Sequence, residues 1–136
     1  MSFSIDDVNI FEELGREKFV ELSTRFYTKV YADTEPSFRG MFPKDMNAAI
    51  QNQYEFFIQR MGGPPLYSER KGHPALRGRH AHFQITRAHA EKWLRYMREA
   101  LDEAGIPADT RRRMDEFFTD VAYFLQNVGD DGERLY

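Results

Sequence analysis

The chain has 136 residues, a net charge of −3 and a pI near 5.8, with 41% hydrophobic and 30% charged residues. That length fits one domain spanning 1–136, and the composition is that of an ordinary soluble globule rather than a disordered chain. The acidic balance gives no reason to expect a nucleic-acid partner, and the lack of cysteine excludes disulfides, thiolate metal sites and a thiol nucleophile together.

The first residues, MSFSIDDVNIFEELG, are acidic and lack the basic start and apolar run of a secretory signal. No apolar stretch approaches membrane-spanning length. The expectation is a cytoplasmic protein with no membrane partner. Apolar residues recur at helical spacing, and no segment alternates convincingly as a strand. A short helix is predicted near Asp6–Leu14, ended by Gly15. The next runs from about Arg16 to Ala32, with Phe19, Leu22, Phe26 and Val30 on one face. Glu35-Pro36 and Gly40 then break the chain, and Pro43 is placed to open a third helix, about Lys44 to Met61. Its stripe is Met46, Ile50, Phe57 and Met61, and Gly62-Gly63-Pro64-Pro65 stops it.

From Pro64 to Arg79 the sequence reads as a loop, with one short helix around Pro74–His80. Loops this long in a compact domain usually have a task; a ligand packed on it and plain surface disorder are the two readings. Thr86 is a good N-cap for a helix reaching Ala104, with Ala90, Trp93, Met97, Leu101 and Ala104 on one side. Gly105-Ile106-Pro107 ends it. A last helix, about Asp109 to Val128, carries Met114, Phe117, Phe118, Val121 and Leu125 in register. The fold class is all-α, with four substantial helices.

Phe 12, Tyr 7 and Trp 1 make 15% of the chain. A small domain gains burial efficiently from rings, and a large flat apolar cofactor would want the same lining. Composition does not separate the two.

Among polar residues set against this apolar pattern, His80 follows Leu76-Arg77-Gly78-Arg79 and precedes Phe83 and Ile85, which look core-directed. A neutral imidazole there is either a metal ligand or a satisfied side chain. His73, His82 and His89 have weaker cases, and no histidine pair has zinc-site spacing with acidic support. Gln53 lies in the apolar stripe between Ile50 and Phe57. A buried amide needs a partner, on a neighbouring helix or in a pocket. Tyr27 and Trp93 each join an apolar ring to a donor, and each, like Phe42, is core when taken singly. No nucleophile triad, phosphate loop or paired-carboxylate motif rises above background.

Taken as an ordered set, these residues are familiar. Gly62-Gly63-Pro64, Tyr67-Ser68-Glu69, Gly72-His73-Pro74, Leu76-Arg77, Arg79-His80, Phe83 and Ile85 resemble the central signature of group II truncated haemoglobins. Trp93 falls thirteen residues beyond His80, Phe26-Tyr27 with Val30 resembles the second-helix motif, and Phe42-Pro43 resembles the haem-contacting corner. The resemblance runs from about residue 16 to 128, so the first fifteen residues form a poorly matched extension.

The resemblance implies a two-over-two helical sandwich around haem b. It implies His80 as the iron ligand, and Tyr27, Gln53 and Trp93 as distal donors. Ala49 stands at the position of the distal histidine of ordinary globins, where a small residue would leave the distal entrance open. Phe42 would stack on the porphyrin, and Tyr67 and Arg79 would bind propionates. The chain departs at Asn52, where many relatives carry a propionate-binding arginine, and at Met61, which replaces an aromatic. Gln53 matches some members and replaces a leucine in others.

The implied function is reversible binding of dioxygen and other small haem ligands, with nitric oxide dioxygenation or peroxide chemistry as extensions. Buried donors would stabilise negative charge on dioxygen and slow its release. The chain has no flavin or nicotinamide motif, so turnover would need an external reductase. The expected assembly is a monomer or homodimer. Two other readings stay open: a haem-based gas or redox sensor acting through a partner, and a cofactor-free helical interaction module.

Overall fold

A helix start can be set by a side chain that satisfies the free backbone amides of its first turn. In the computed structural model, which describes residues 3–135, three such caps decide where helices begin. Met1, Ser2 and Tyr136, the ends of the expected 1–136 domain, lie outside the described residues. The Asn9 side chain accepts from the Glu12 amide at 2.8 Å and starts α1 (Ile10–Leu14). The expected helix over 6–14 is therefore split, and Ser4–Asp6 forms a separate 3-10 turn. Gly15, at φ 80°, separates α1 from α2 (Arg16–Ala32).

After α2, Pro36 occupies the first turn of a four-residue helix, α3 (Pro36–Arg39), inside the segment read as a break. Helix α4 spans Met46–Arg60; Asp45, accepting from the Asn47 amide at 2.9 Å, caps it two residues later than a Pro43 start would give. The region expected to be loop contains α5 (Leu66–Lys71). Its start is fixed from outside: the Ser68 amide donates to Gln59 Oε1 at 2.9 Å, and Gln59 Nε2 donates to the Ser68 hydroxyl at 2.7 Å. A tertiary clasp of that kind leaves no periodic signal in so short a segment.

Helix α6 is Leu76–His80, and α7 (Arg87–Glu103) begins at Thr86, whose hydroxyl accepts from the His89 amide at 3.2 Å. Helix α8 spans Ala108–Leu125 and ends three residues short of Val128, because Asn127 and Val128 turn their amides to the carbonyl of Ile85. The only β pairing among the described residues is an isolated bridge, Val128 with Arg134. No helix there is long and apolar enough to cross a membrane.

The apolar stripes meet in one core. Helix α2 packs on α4 and on α7, and α7 packs on α8. Phe19, Leu22, Phe26 and Val30 are fully buried, as are Met97, Leu101 and Met114. Ile5 and Ile10, in the poorly matched first fifteen residues, join the same core. The α4–α5 corner depends on close approach. Gly62 takes φ 105°, and a Cβ there would lie 2.4 Å from the Asn9 side chain, so glycine is required.

Candidate functional site

The short helix α6 carries few apolar contacts, so hydrogen bonds on both flanks fix it. Ala75, at φ 44°, is the one non-glycine residue in the left-handed region among those described, a conformation that costs energy and persists only when its surroundings enforce it. The enforcing contacts are specific. The Ala75 amide donates to His73 Nδ1 at 3.0 Å. Arg79 donates from Nε to the Pro74 carbonyl and from Nη2 to those of Lys71 and His73, at 2.7, 2.7 and 3.0 Å. Beyond the helix, buried Asn127 accepts from the Ile85 amide at 2.8 Å and donates to the Phe83 carbonyl at 2.9 Å. Arg134 donates to the carbonyls of Ala81 and Phe83.

His80 ends α6 with its Nδ1 2.7 Å from the Leu76 carbonyl oxygen. A carbonyl only accepts, so that nitrogen carries the proton and the lone pair belongs to Nε2. Burial pushes the His80 pKa below its ordinary value; the Leu76 contact opposes this, and His82 and Arg79 reinforce it. The imidazole is therefore held neutral, the form that ligates a metal.

His80 lines a cavity of about 460 Å³, within the range of small-molecule and cofactor sites. The residues that the family resemblance implied for the site line it as well: Tyr27 from α2, Phe42 from the corner after α3, Ala49 and Gln53 from α4, Tyr67 from α5, Arg79 from α6 and Trp93 from α7; His73 and His82 do not. Ring contacts hold the walls. Trp93 lies 5.1 Å from Phe26 and 5.9 Å from Phe118, and Tyr27 lies 5.9 Å from Phe42, centroid to centroid. The corner bearing Phe42 is pinned by the Tyr31 hydroxyl, which donates to the Pro43 carbonyl.

Three polar side chains that line this cavity leave a polar group without a partner. Gln53 Oε1 is buried without a hydrogen-bond partner, a cost a folded protein seldom accepts without a ligand or function to meet it. Among the described residues neither the Tyr27 hydroxyl nor the Trp93 indole N–H finds a partner. Burial drives the Tyr27 phenol far above its ordinary pKa, with Tyr31 adding to the effect, so it remains a proton donor. Toward solvent the cavity is bordered by cations, exposed Lys71 and half-buried Arg79, with Tyr67 7% exposed beneath the Arg79 guanidinium at 5.5 Å. Asn52 also lines the cavity, and its Oδ1 accepts from Arg70 at 2.7 Å. Thus an arginine reaches this position from α5, held there by Glu55 at 2.7 Å.

Sequence reasoning gave His89 only a weaker case than His80 and did not place it at the cavity. It is 7% exposed and lines the cavity. Its signal was present in the spacing, since it stands one turn before Trp93. Lys71 and Phe56 were also missed as lining residues, because the α4–α5 clasp that aims them is tertiary.

Apolar walls, a neutral imidazole, unpaired donors and bordering cations together suit a flat apolar cofactor with a metal centre and acidic edge groups. Comparison with known proteins shows the family. The family model for bacterial-like globins matches residues 9–127. The two-on-two hemoglobin-3 of Arabidopsis thaliana is 53% identical over 126 residues, covering 91% of this chain and 72% of that protein. The group 2 truncated hemoglobin YjbI of Bacillus subtilis is 39% identical over 101 residues, 74% and 75% of the two chains. Among solved structures, the group II truncated hemoglobin of Bacillus anthracis matches with a TM-score of 0.83 at 34% identity, over 90% of this chain and 94% of that one. A hemoglobin of Chloroflexus aurantiacus matches at 0.82 and 40%, over 88% and 98%. Globin membership implies haem binding and, through haem, the binding of small ligands. The chain is a two-on-two globin of the bacterial-like family, related to the group II truncated hemoglobins.

Proposed function

We propose that the cavity holds haem b with His80 Nε2 as the iron ligand, and that the protein reversibly binds dioxygen there. Haem supplies an iron that takes an imidazole and a diatomic ligand. The residues do the rest. The Leu76 carbonyl fixes the His80 tautomer, Phe42 packs on the ring, and Arg79, Tyr67 and Lys71 meet the carboxylates. Tyr27 through its hydroxyl, Trp93 through its indole N–H and Gln53 through its amide NH2 direct donors at the ligand, where an apolar surround strengthens each bond. Ala49 leaves space above α4.

The observation that carries this reading is the convergence of polar side chains from α2, α4 and α7 on the cavity that His80 lines, with Gln53 Oε1 buried and unpaired among them. As core, those groups would each need a protein partner. As ligand contacts, they need none until ligand arrives. Reductant comes from outside the chain in this reading, through a reductase. The test is the absorption spectrum of the purified protein, reduced and then exposed to carbon monoxide. A haem spectrum that shifts on carbon monoxide supports the proposal; a colourless protein that takes up no added haem refutes it.

A further inference from the structure

A second recess, open to solvent, lies against the outside of this cavity, between α3 and the start of α7. Glu35, Ser37, Gln84, Thr86 and Ala88 are among its walls. Met41 and His89 line both the recess and the inner cavity. They therefore stand between the two.

These partition residues are held very differently. His89 is buried and tied from both ring nitrogens. Nε2 lies 3.1 Å from the Ser37 hydroxyl, and Nδ1 lies 3.3 Å from the Thr86 amide and 3.1 Å from the Gln84 carbonyl. Its ring also packs against Phe38, 6.2 Å away. The Ser37 hydroxyl is held in turn by Glu35 at 3.0 Å, and Glu35 by Lys92 at 2.7 Å. Met41 has no polar tether. It is half-buried, unbranched, and free about several side-chain bonds, the residue type that repacks at least cost.

We infer that Met41 is the moving element of a second ligand entrance, with His89 as its fixed frame, leading from the open recess into the cavity. The inference rests on the haem reading proposed above, and it is distinct from the opening that small Ala49 leaves. The class of ligand follows from the walls. A recess open to solvent admits water and whatever is dissolved in it, but passage beside a thioether and a ring strips that water away. Neutral diatomic molecules lose little there, whereas anions lose their hydration and face the Glu35 carboxylate. The route selects small neutral ligands such as dioxygen and carbon monoxide.

The test is carbon monoxide recombination after flash photolysis of the ferrous protein, in wild type, Met41→Ala, Met41→Phe and Ala88→Trp. Ala88 is exposed and lines the recess alone, so Ala88→Trp blocks the outer mouth without touching the inner cavity. The expected result is a several-fold faster bimolecular association in Met41→Ala and slower association in Met41→Phe and Ala88→Trp, with dissociation shifted by the same factor in each, because a gate alters the barrier and leaves the affinity unchanged. Wild-type association rates in both blocked variants overturn the inference while leaving the haem reading intact. Failure of wild type to form a carbon monoxide complex refutes that earlier reading instead. Should a variant fold poorly, wild type alone decides the matter. In the carbon monoxide complex, dissolved dioxygen should broaden the Met41 methyl signal well beyond those of Met97 and Met114, which are fully buried. Equal broadening of all three overturns the entrance.

Discussion

His80 Nδ1 meets the Leu76 carbonyl oxygen at 2.7 Å, one turn back along the same short helix. The contact fixes which nitrogen carries the proton, and it depends on α6 being wound. The left-handed Ala75, the triple tie of Arg79 and the Asn127 clamp thus act on the imidazole through the backbone of α6. Such outer contacts commonly matter to a metal site nearly as much as the ligand itself.

Loosening this frame should speed cofactor loss without abolishing binding. Arg79→Ala removes three backbone ties as well as a cation at the cavity edge. Tyr67→Phe removes a single hydroxyl. Apolar burial supplies most of the affinity for a porphyrin, and exposed charge contacts supply less. Haem transfer to an acceptor globin should therefore be fastest from Arg79→Ala, intermediate from Tyr67→Phe and slowest from wild type. Equal rates in all three would place neither residue at the cofactor.

Donor removal in the cavity should separate ligands by charge. Tyr27→Phe, Gln53→Leu and Trp93→Phe each delete a polar group unpaired within the protein. Each should accelerate dioxygen dissociation and barely alter carbon monoxide dissociation, since carbon monoxide accumulates little charge. A lost hydrogen bond costs about 1 kcal/mol, and about twice that with a charged acceptor, or roughly fivefold to thirtyfold. Paired substitutions should be non-additive, because remaining donors compensate. Stopped-flow dissociation measures this, and three wild-type rates for dioxygen would return these residues to the core.

The four long helices were legible in the sequence because each buries a stripe repeated over several turns. Phe19, Leu22, Phe26 and Val30 illustrate it, with every member buried. The candidate site was legible through an ordered set of motifs rather than through any one residue, and the eight site residues which that resemblance implied line a single cavity. Helix α5 was not legible, because Gln59 and Ser68 create it from across the corner. Nor was the role of Asn127: a polar residue after a helix reads as a cap, and its 1% exposure comes from a segment 42 residues away.

A buried carboxylate makes the fold sensitive to acid. Asp33, with its side chain 7% exposed, accepts from the Tyr96 hydroxyl, the Glu35 amide at 2.8 Å and Lys92 at 3.1 Å. Burial alone would raise its pKa; these bonds more than offset that and hold it below 3.8. A depressed carboxylate contributes stability that is present above its ordinary value and lost as pH falls through the native one. Asp33→Asn should cost about 1–3 kcal/mol at neutral pH, and the gap to wild type should shrink below about pH 4. Urea unfolding at pH 7 and pH 3 tests the sign; a gap that widens in acid contradicts it.

The central claim is that His80 holds the iron, and haem content tests it most directly. Wild type, His80→Ala, His73→Ala, His82→Ala and His89→Ala should be purified alike and their haem assayed per chain. His80→Ala should retain little haem, while the other three keep wild-type content. Haem in His80→Ala equal to wild type, with the same ferrous spectrum, would contradict the account.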